Sequence, residues 1–349
     1  MTPNAGIPSK PSPEAEALAL RYIDLANPRL GSEVVYATDD FFADKARMID
    51  PAPPVFYPGL YDDNGKWMDG WESRRKRGPG HDHAILRLGR PGLVRAVDID
   101  TSHFTGNYPP AASLDACVSD SRVPGPDQAW QEIVLTTPLA GDSHHLIHIT
   151  SPEVWTHLRL NIYPDGGVAR LRVFGEIHVD WAAQMSGGEA GGEIELSSML
   201  LGGRAIAWSD AHYGAPNNIL APGRGVNMGD GWETRRRRGP GNDWIIVALA
   251  RPGRVARIEV DTAHFKGNYP DRCSVQASLA PDEAEESLAP QSHLWPLLLP
   301  EQKLEMDRVH AFQSEVSPEV GPASHLRLNI FPDGGVSRFR VFGYPEPGA

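Results

Sequence analysis

The chain has 349 residues, a formal net charge of −12 and 40% hydrophobic residues, with a mean hydropathy of −0.36. The acidic balance argues against nucleic acid as the main partner, because phosphate binding needs a basic surface. No apolar run reaches the roughly 18 residues of a membrane span, and the N-terminus lacks the basic start and apolar core of a secretory signal. These numbers fit a globular protein of two domains, each with its own core.

The first thirty residues, 1–30, are predicted to form a tail with a short helix. Ser12 is followed by Pro13, by Glu14 and Glu16, and then by the run Ala-Leu-Ala-Leu. A serine N-cap, a proline at the first helical position and acidic residues in the first turn are typical of a helix N-terminus. We therefore expect a helix ahead of the first domain.

The remainder of the chain contains the same sequence blocks twice. GWESRRKRGPG at 70–80 returns as GWETRRRRGPG at 231–241, DIDTSHFTGNYP at 98–109 as EVDTAHFKGNYP at 259–270, and HLRLNIYPDGGVARLRVFG at 157–175 as HLRLNIFPDGGVSRFRVFG at 325–343. The order is kept and the spacing drifts little, which indicates a duplicated domain rather than a solenoid repeat. We place the first copy at 31–180 and the second at 203–349, with a Gly-rich linker over 181–202.

Strand patterns dominate both copies. The apolar runs at 83–89 and 244–250 stop at Arg-Pro-Gly sequences, which predict turns, and the runs at 93–100 and 254–261 alternate with period two. The Pro-Asp-Gly-Gly sequence between two alternating runs in the third block predicts a hairpin. Outside the tail, helical periodicity is confined to 298–309. The fold class is therefore all-β, with each copy an antiparallel sandwich.

The first block is a basic motif that contains one acid. It reads Trp-Glu-x-Arg-Arg-x-Arg in both copies and ends in a Gly-Pro-Gly turn before a strand, which predicts a loop at one end of the sandwich. Arginine binds a carboxylate through a planar fork of donors, and glutamate can act as acid or base. The alternative is a solvated basic strand, which the repetition disfavours because solvated faces drift after duplication.

The second block lies where a strand ends and a loop begins, a common place for functional residues. In the first copy it contains Asp100, His103 and Asn107. Histidine titrates near neutral pH and can move a proton, and the Gly-Asn pair predicts an unusual backbone turn. The alternative is a turn braced by hydrogen bonds of the Asp, His and Asn side chains, and the sequence leaves this choice open.

The repeat disfavours a metal site and a disulfide. His81 and His83 become asparagine and tryptophan in the second copy, and no histidine cluster was matched to the one at 144–148. We therefore expect no metal and no other cofactor. The two cysteines, Cys117 and Cys273, occupy non-equivalent positions, which argues against a structural disulfide and favours a reducing cytoplasm.

Taken in order and twice over, these motifs resemble the allantoicase family across nearly the whole chain except the tail. The resemblance implies hydrolysis of allantoate to (S)-ureidoglycolate and urea. Such an enzyme is a hydrolase acting on C–N bonds of linear amidines, and it serves purine and allantoin degradation for nitrogen. The resemblance also implies two jelly-roll domains of the galactose-binding-like type and a homo-oligomer.

Allantoate carries one carboxylate and two ureido groups on one carbon, so its site needs a cation, acceptors for NH groups, an acid and a base. We expect Glu72 and His103 to be the acid/base pair, with Glu233 and His264 as counterparts. Substrate contacts are expected from the motif positions Trp71, Arg75, Arg77, Asp100, Asn107, Trp232, Arg236, Arg238, Asp261 and Asn268. The sequence leaves open which member is the acid and whether one site is composite. We favour the first copy, because it alone has His83 beside the motif.

Two other functions also fit the sequence. The strand pattern resembles discoidin-like modules, which bind sugars or lipids without chemistry but are usually secreted and stapled by disulfides. A scaffold that kept the fold and lost its activity is the third possibility. The Arg-rich motif, the absence of a signal pattern and the unmatched cysteines favour the enzyme.

Overall fold

The computed structural model describes residues 6–10, 12–186 and 192–346, so part of the predicted tail and of the predicted linker lies outside the described residues. The chain divides into two compact units, Met1–His178 and Val179–Ala349. None of the helices in the described ranges is long and apolar enough to cross a membrane.

The elements of the first unit are β1 (Ile7–Pro8), α1 (Pro13–Arg21), β2 (Ile23–Asp24), β3 (Glu33–Ala37), β4 (Val55–Phe56), β5 (Tyr61–Asp62), β6 (Gly65–Lys66), β7 (Trp71–Glu72), β8 (Asp82–Asp100), β9 (Ala111–Cys117), β10 (Gln131–Pro138), β11 (His144–His148), β12 (Val154–Tyr163), β13 (Gly167–Val168) and β14 (Arg170–Ile177). Two short 3-10 helices lie at Pro28–Leu30 and Lys45–Ile49.

The elements of the second unit are α2 (Trp181–Ser186), β15 (Ile194–Glu195), β16 (Arg204–Trp208), β17 (Trp232–Glu233), β18 (Asp243–Asp261), β19 (Arg272–Ser278), α3 (Glu285–Gln291), β20 (Leu297–Lys303), β21 (Val309–Phe312), β22 (Pro322–Phe331), β23 (Gly335–Val336) and β24 (Arg338–Pro345). Short 3-10 helices lie at Met199–Leu201, Pro216–Leu220, Met228–Asp230, Ser292–Leu294 and Pro318–Val320.

One long strand organises the first unit. The first half of β8 pairs with β3 and β12, and its second half pairs with β11 and β14, always antiparallel. A strand that changes partners halfway along passes from one layer of a sandwich to the other. β9 and β10 extend the sheet beyond β12, and β2 closes the edge beside β14. The prediction of a jelly-roll sandwich is confirmed.

The second unit repeats this arrangement around β18. Its first half pairs with β16 and β22, and its second half with β21 and β24. β19 and β20 extend the sheet, and β15 closes the edge at β24. Each half of the chain therefore has its own sandwich and its own buried core.

Two local predictions were wrong, because in both places the pairing of β8 with its partner strands decides the structure. The Arg-Pro-Gly sequence at 90–92 is not a turn, because β8 runs through it. Pro91 lacks an N–H, but it lies where the β12 register skips from Gly92 to Arg87, so no ladder hydrogen bond is lost there. The third block is not a hairpin either, because β12 and β14 pair with different halves of β8 and not with each other.

The helix prediction for the tail is confirmed. α1 begins after Ser12, whose Oγ accepts the Ala15 N–H at 3.4 Å, and Ala15 packs on Ala96 and Phe174 of the first unit. The helix expected at 298–309 was wrong, because residues 297–303 form β20 in the sheet. The helix α3 was not predicted. Its Leu288 is fully buried against Ile246 and Trp295, so tertiary packing stabilises a segment with weak helical periodicity.

Candidate active site

The first motif forms the short strand β7, which is held on both sides. It pairs with β13 and makes an isolated bridge to Ala43. Trp71 is 0% exposed, and its Nε1 donates to the Asp39 carbonyl at 2.8 Å. Trp232 is likewise buried and donates to the Asp210 carbonyl at 2.8 Å. The tryptophans therefore lie in the core beneath the motif, where they anchor the loop.

The structure brings the first two blocks together through one hydrogen bond. Asn107 Nδ2 donates to Glu72 Oε1 at 2.7 Å. In the second unit Asn268 Nδ2 donates to Glu233 Oε1 at 2.5 Å. We call each of these a Glu–Asn pair. The same polar pair thus stands at the same place in both sandwiches.

The third block fixes the loop that carries the asparagine. The Gly167 N–H donates to the Asn107 carbonyl at 2.7 Å, and the Gly335 N–H donates to the Asn268 carbonyl at 2.8 Å. Gly166 has φ 142°, and a Cβ there would lie 2.5 Å from the Pro109 nitrogen. Only glycine allows this close approach, so the Pro-Asp-Gly-Gly sequence is part of the scaffold of the Glu–Asn pair.

His103 lies in the same loop in a left-handed conformation, with φ 68°. Its backbone N–H donates to Asp142 Oδ1 at 2.8 Å, and its Nε2 lies 3.3 Å from the Pro54 carbonyl. A carbonyl only accepts, so Nε2 carries the hydrogen and Nδ1 is the acceptor in the neutral ring. His264 repeats this geometry, with φ 71° and Nε2 2.8 Å from the Gly225 carbonyl.

Asp100 and Asp261 brace the start of this loop. Oδ1 of Asp100 accepts the Ser102 N–H at 2.7 Å, and Oδ1 of Asp261 accepts the Ala263 N–H at 2.7 Å. Burial raises the pKa of Asp100, against the hydrogen bonds from Ser102 and the charge of His144. The braced-turn alternative therefore describes the aspartates and the histidine backbone, whereas the asparagine side chains reach the glutamates.

The arginines of the motif divide into paired and unpaired positions. Arg74 and Lys76 form ion pairs with acids of the first unit, at 2.6 Å to Asp39 and 2.8 Å to Asp82, and Arg235 and Arg237 repeat both contacts in the second unit. The other four motif arginines were predicted to contact the substrate. They are exposed and make no ion pair with a described residue: Arg75, Arg77, Arg236 and Arg238. The motif thus alternates between structural cations and free ones.

A cavity opens beside each Glu–Asn pair, but the walls differ. In the first unit the cavity has a volume of about 410 Å³ and is lined by Phe42, Lys66, Met68, Glu72, His103, Thr105, Gly106 and Asn107. In the second unit it has a volume of about 420 Å³ and is lined by Glu233, Thr234, Arg236, Arg237, Gly267, Asn268, Tyr269, Asp271, Pro332, Asp333 and Gly334. The first cavity combines apolar side chains with a lysine and a histidine. The second combines motif arginines with the turn of the third block.

The environment of Glu72 in the first cavity changes its pKa. Burial raises the pKa of Glu72 above its ordinary value, while the hydrogen bond from Asn107 and the charge of Lys66 act in the opposite direction. A carboxyl whose pKa moves toward neutrality can both accept and release a proton near neutral pH.

His83 lies away from this chemistry. Its ring contacts Tyr36 and His81 on the face of the sheet, at centroid distances of 5.6 and 6.2 Å, and it is not among the residues that line the cavity. Burial, with the nearby charges of Arg159 and His81, lowers its pKa to about 4. Its position gives no support to the sequence argument for the first copy.

The histidines at 144–148 also have separate roles. His144 Nδ1 lies 2.7 Å from Asp98 Oδ2. His145 has a counterpart that sequence comparison missed, because His310 makes the same ring contacts to a strand carbonyl and a backbone N–H. Within the described ranges, no group of three or more His, Cys, Asp or Glu side chains is placed to hold a metal ion.

Sequence reasoning missed Lys66, Phe42 and Met68 in the first cavity. Lys66 lies on the β5–β6 hairpin, and this stretch has no equivalent in the second copy. Each motif tryptophan donates a hydrogen bond to the carbonyl of an earlier aspartate. This aspartate lies 32 residues before the tryptophan in the first copy (Asp39 and Trp71) but only 22 residues before it in the second (Asp210 and Trp232). The insertion itself was the available signal, since added residues beside a motif change the walls of its site.

Comparisons with known proteins agree on one family. The profile of the family described as "Allantoicase repeat" matches residues 23–178 and 194–346. Probable allantoicase 2 of Burkholderia pseudomallei is 56% identical over 331 residues, covering 95% of this chain and 97% of that protein. Probable allantoicase of Ralstonia nicotianae is 54% identical over 334 residues, covering 96% and 98%. The crystal structure of allantoicase from Saccharomyces cerevisiae superposes with a TM-score of 0.78 at 32% identity, covering 97% of this chain and 100% of that one.

Proposed function

The chain belongs to the allantoicase family, and we propose that it hydrolyses allantoate to (S)-ureidoglycolate and urea. The observation that carries the proposal is the hydrogen-bonded Glu72–Asn107 pair at a cavity of about 410 Å³. That volume suits a small polar metabolite, and the cavity offers a carboxyl, an amide, an imidazole and an ammonium group to an anion that carries ureido groups.

The reaction breaks the bond between the central carbon and one ureido nitrogen, and it forms a bond from that carbon to the oxygen of water. Water loses a proton and the departing urea nitrogen gains one. In our proposal the ionised Glu72 takes the proton from water and delivers it to the leaving nitrogen, so the carboxylate is regenerated. The raised pKa of Glu72 supports this shuttle, since transfer is most effective when the pKa lies near the working pH.

Asn107 and His103 support Glu72 in this proposal. Asn107 holds Oε1 of Glu72 at 2.7 Å, which orients the carboxyl and leaves Oε2 for the reactants. His103 lines the same cavity, and Nδ1 of its neutral ring is an acceptor for a ureido N–H or for a proton. Asp100 braces the turn that carries His103 and is thus proposed to position the loop.

The second copy is proposed to bind the same class of anion. Glu233 and Asn268 repeat the pair, and Arg236 lines the cavity beside them, so its guanidinium can bind a substrate carboxylate through two parallel hydrogen bonds. Arg238 and, in the first copy, Arg75 and Arg77 are exposed and belong to the same motif as the glutamates. These three arginines remain proposed substrate contacts. Trp71 and Trp232 are fully buried, so they are proposed to anchor the motif rather than to contact the substrate. Asp261 is proposed to brace its loop as Asp100 does. His264 repeats the backbone geometry of His103 but is not among the residues that line the second cavity.

The cellular setting is part of the proposal. We propose that the protein acts in purine and allantoin degradation for nitrogen use, in the cytoplasm and as a homo-oligomer. Both cysteines are buried and unpaired, which agrees with a reducing compartment. Light scattering coupled to gel filtration tests the oligomer, and a monomer at micromolar concentration contradicts it.

The direct test is incubation of the purified protein with millimolar allantoate, followed by assays of urea and ureidoglycolate. We expect both products in equal amounts. Folded protein that releases no urea above background, with and without added Mn²⁺ or Zn²⁺, contradicts the proposal. Binding of neutral sugars by the same inactive preparation would instead favour a binding module.

A further inference from the structure

The first cavity contains a cation that no motif predicted. Lys66 is the one Lys or Arg side chain among the described residues that line this cavity. Arg75 and Arg77, which the repeated motif offered for carboxylate binding, are not among the lining residues. Without a cation, a substrate carboxylate in this cavity would lie beside the carboxylate of Glu72, and the two negative charges would repel each other.

The hairpin insertion holds Lys66 at this place. β5 and β6 pair through Tyr61 and Lys66, and the Trp67 N–H donates to the Leu60 carbonyl at 3.0 Å. Gly65 has φ 140°, and a Cβ built on it would lie 3.7 Å from the ring of Phe42. The hairpin therefore packs on Phe42, itself a wall of the cavity.

Aromatic contacts connect the ammonium group to the histidine through one ring, that of Phe56. Lys66 Nζ lies 4.5 Å from the centre of the Phe56 ring, and the same ring stacks on His103 at a centroid distance of 5.8 Å. Lys66 makes no ion pair with a described residue, so its charge is available to a ligand. The charge is also near enough to lower the pKa of Glu72.

We propose that Lys66 binds the carboxylate of the substrate in the first unit and thereby selects anionic ureido compounds over neutral ones. The inference rests on the proposed function. An ammonium group is a compact charge with three donors, and here it neutralises the substrate carboxylate beside Glu72. The second unit lacks the hairpin and has Arg236 at its cavity instead, so the two copies reached a cation by different routes.

The test compares Lys66→Met with Lys66→Arg and with Lys10→Met, which removes an exposed lysine that is not among the lining residues. Each variant is assayed with allantoate and with its neutral primary amide, and the release of urea is measured. We expect Lys66→Met to raise KM for allantoate about 10-fold or more, a typical effect of one charged hydrogen bond. On the pH plateau, where Glu72 is ionised in every variant, kcat/KM for the amide should change by less than about 2-fold. Lys66→Arg should restore most of the affinity, and Lys10→Met should match the wild type.

Binding without turnover separates this inference from the proposed function. Calorimetry measures allantoate affinity in Glu72→Gln and in the double variant with Lys66→Met. Equal affinities, or an equal loss on both substrates in the kinetic test, overturn the role of Lys66. Wild-type protein that binds allantoate but releases no urea overturns the proposed reaction and leaves the affinity comparison intact. Circular dichroism melting of each variant shows whether it is folded.

Discussion

The two units keep the same Glu–Asn pair and the same supporting turn, but they surround the pair with different walls. The hydrogen bond from the asparagine to the glutamate measures 2.7 Å in the first unit and 2.5 Å in the second. The hydrogen bond from the turn glycine to the asparagine carbonyl measures 2.7 Å and 2.8 Å. The walls share only the pair and the glycine before the asparagine. Duplication thus preserved the polar pair and its backbone scaffold, while access to it diverged.

A second difference lies beside the ends of β8 and β18, at the positions that pair with Asp100 and Asp261. In the first unit His144 links Asp98 to the Lys10 carbonyl, at 2.7 and 3.2 Å. Val309 takes the place of His144 in the second unit, where a cavity of about 760 Å³ is lined by Asp261, Arg338 and Arg340 among others. The first unit therefore uses the N-terminal segment beside β11, whereas the described residues of the second unit leave a cavity at the matching place.

The largest expected effect distinguishes the two pairs directly. We expect Glu72→Gln to lower kcat by about 10²- to 10⁴-fold, the usual contribution of a general acid or base. Glu233→Gln should keep most of the activity, because its cavity lacks a histidine among the lining residues. Steady-state urea release from each single variant measures this.

Circular dichroism of both glutamine variants is the control for folding. Severe loss in Glu233→Gln with a healthy Glu72→Gln would move the catalytic role to the second copy. Severe loss in both would show that each copy is needed for turnover, since effects within one catalytic unit are strongly non-additive.

The next prediction concerns the shared scaffold, and here the copies should behave alike. A Cβ on Gly167 would lie 2.0 Å from the Phe104 ring, and one on Gly335 would lie 2.0 Å from the Phe265 ring. Both aromatic rings are fully buried, so each Gly→Ala change should cost about 1–3 kcal/mol of stability through overpacking.

Urea unfolding of both alanine variants, with Gly78→Ala as a matched change at a glycine where a Cβ meets nothing within 4 Å, measures this cost. A stability loss in only one unit would mean that the turn supports just one of the pairs.

The sequence was sufficient for whatever the duplication preserved. The repeated blocks predicted the all-β class and the two sandwiches, and the Ser12-Pro13 pattern predicted α1. Glu72 was expected in a loop but lies in the short strand β7. Repetition separates constrained positions from drifting ones within a single chain. It could not distinguish core from surface, so it gave Trp71 a substrate contact although Trp71 is fully buried.

The sequence was insufficient where one copy differs from the other or where tertiary pairing decides. Lys66 lies in an insertion, so no repeated position marked it. The Arg-Pro-Gly sequences are strong local turn signals, yet β8 and β18 continue through them because their partner strands skip register there. His83 lies next to the motif in sequence, but its ring contacts Tyr36 and His81 and does not line the cavity.

The asparagine of each pair provides a smaller and more specific test. Asn107 donates to the charged form of Glu72 and thereby lowers the pKa that burial has raised. Asn107→Ala should therefore raise this pKa further, and the acidic limb of kcat/KM should move to higher pH. If the ionised carboxylate is the active form, activity near the foot of the limb falls by about 10-fold for a shift of one unit.

Asn268→Ala is the matched variant, and we expect it to leave the limb unchanged if the first copy carries the reaction. A limb that moves to lower pH in Asn107→Ala would contradict the assigned direction. An equal shift in both variants would contradict the inequality of the copies.

The smallest expected effect tests the N-terminal anchor. The hydrogen bond to Asp98, opposed by burial and assisted by the charge of Asp100, raises the pKa of His144 from 6.5 to about 9. Because the folded pKa is the higher one, the stabilisation is complete below about pH 6.5 and is lost as the pH rises through about 9. His144→Val, which copies the second unit, should therefore lower stability by about 1 kcal/mol at pH 6 and by much less at pH 10. It should also speed amide exchange in α1. His148→Val, an exposed change on the same strand, is the control, and an equal loss for His144→Val at both pH values would mean that His144 stabilises the unit by packing rather than by its charge.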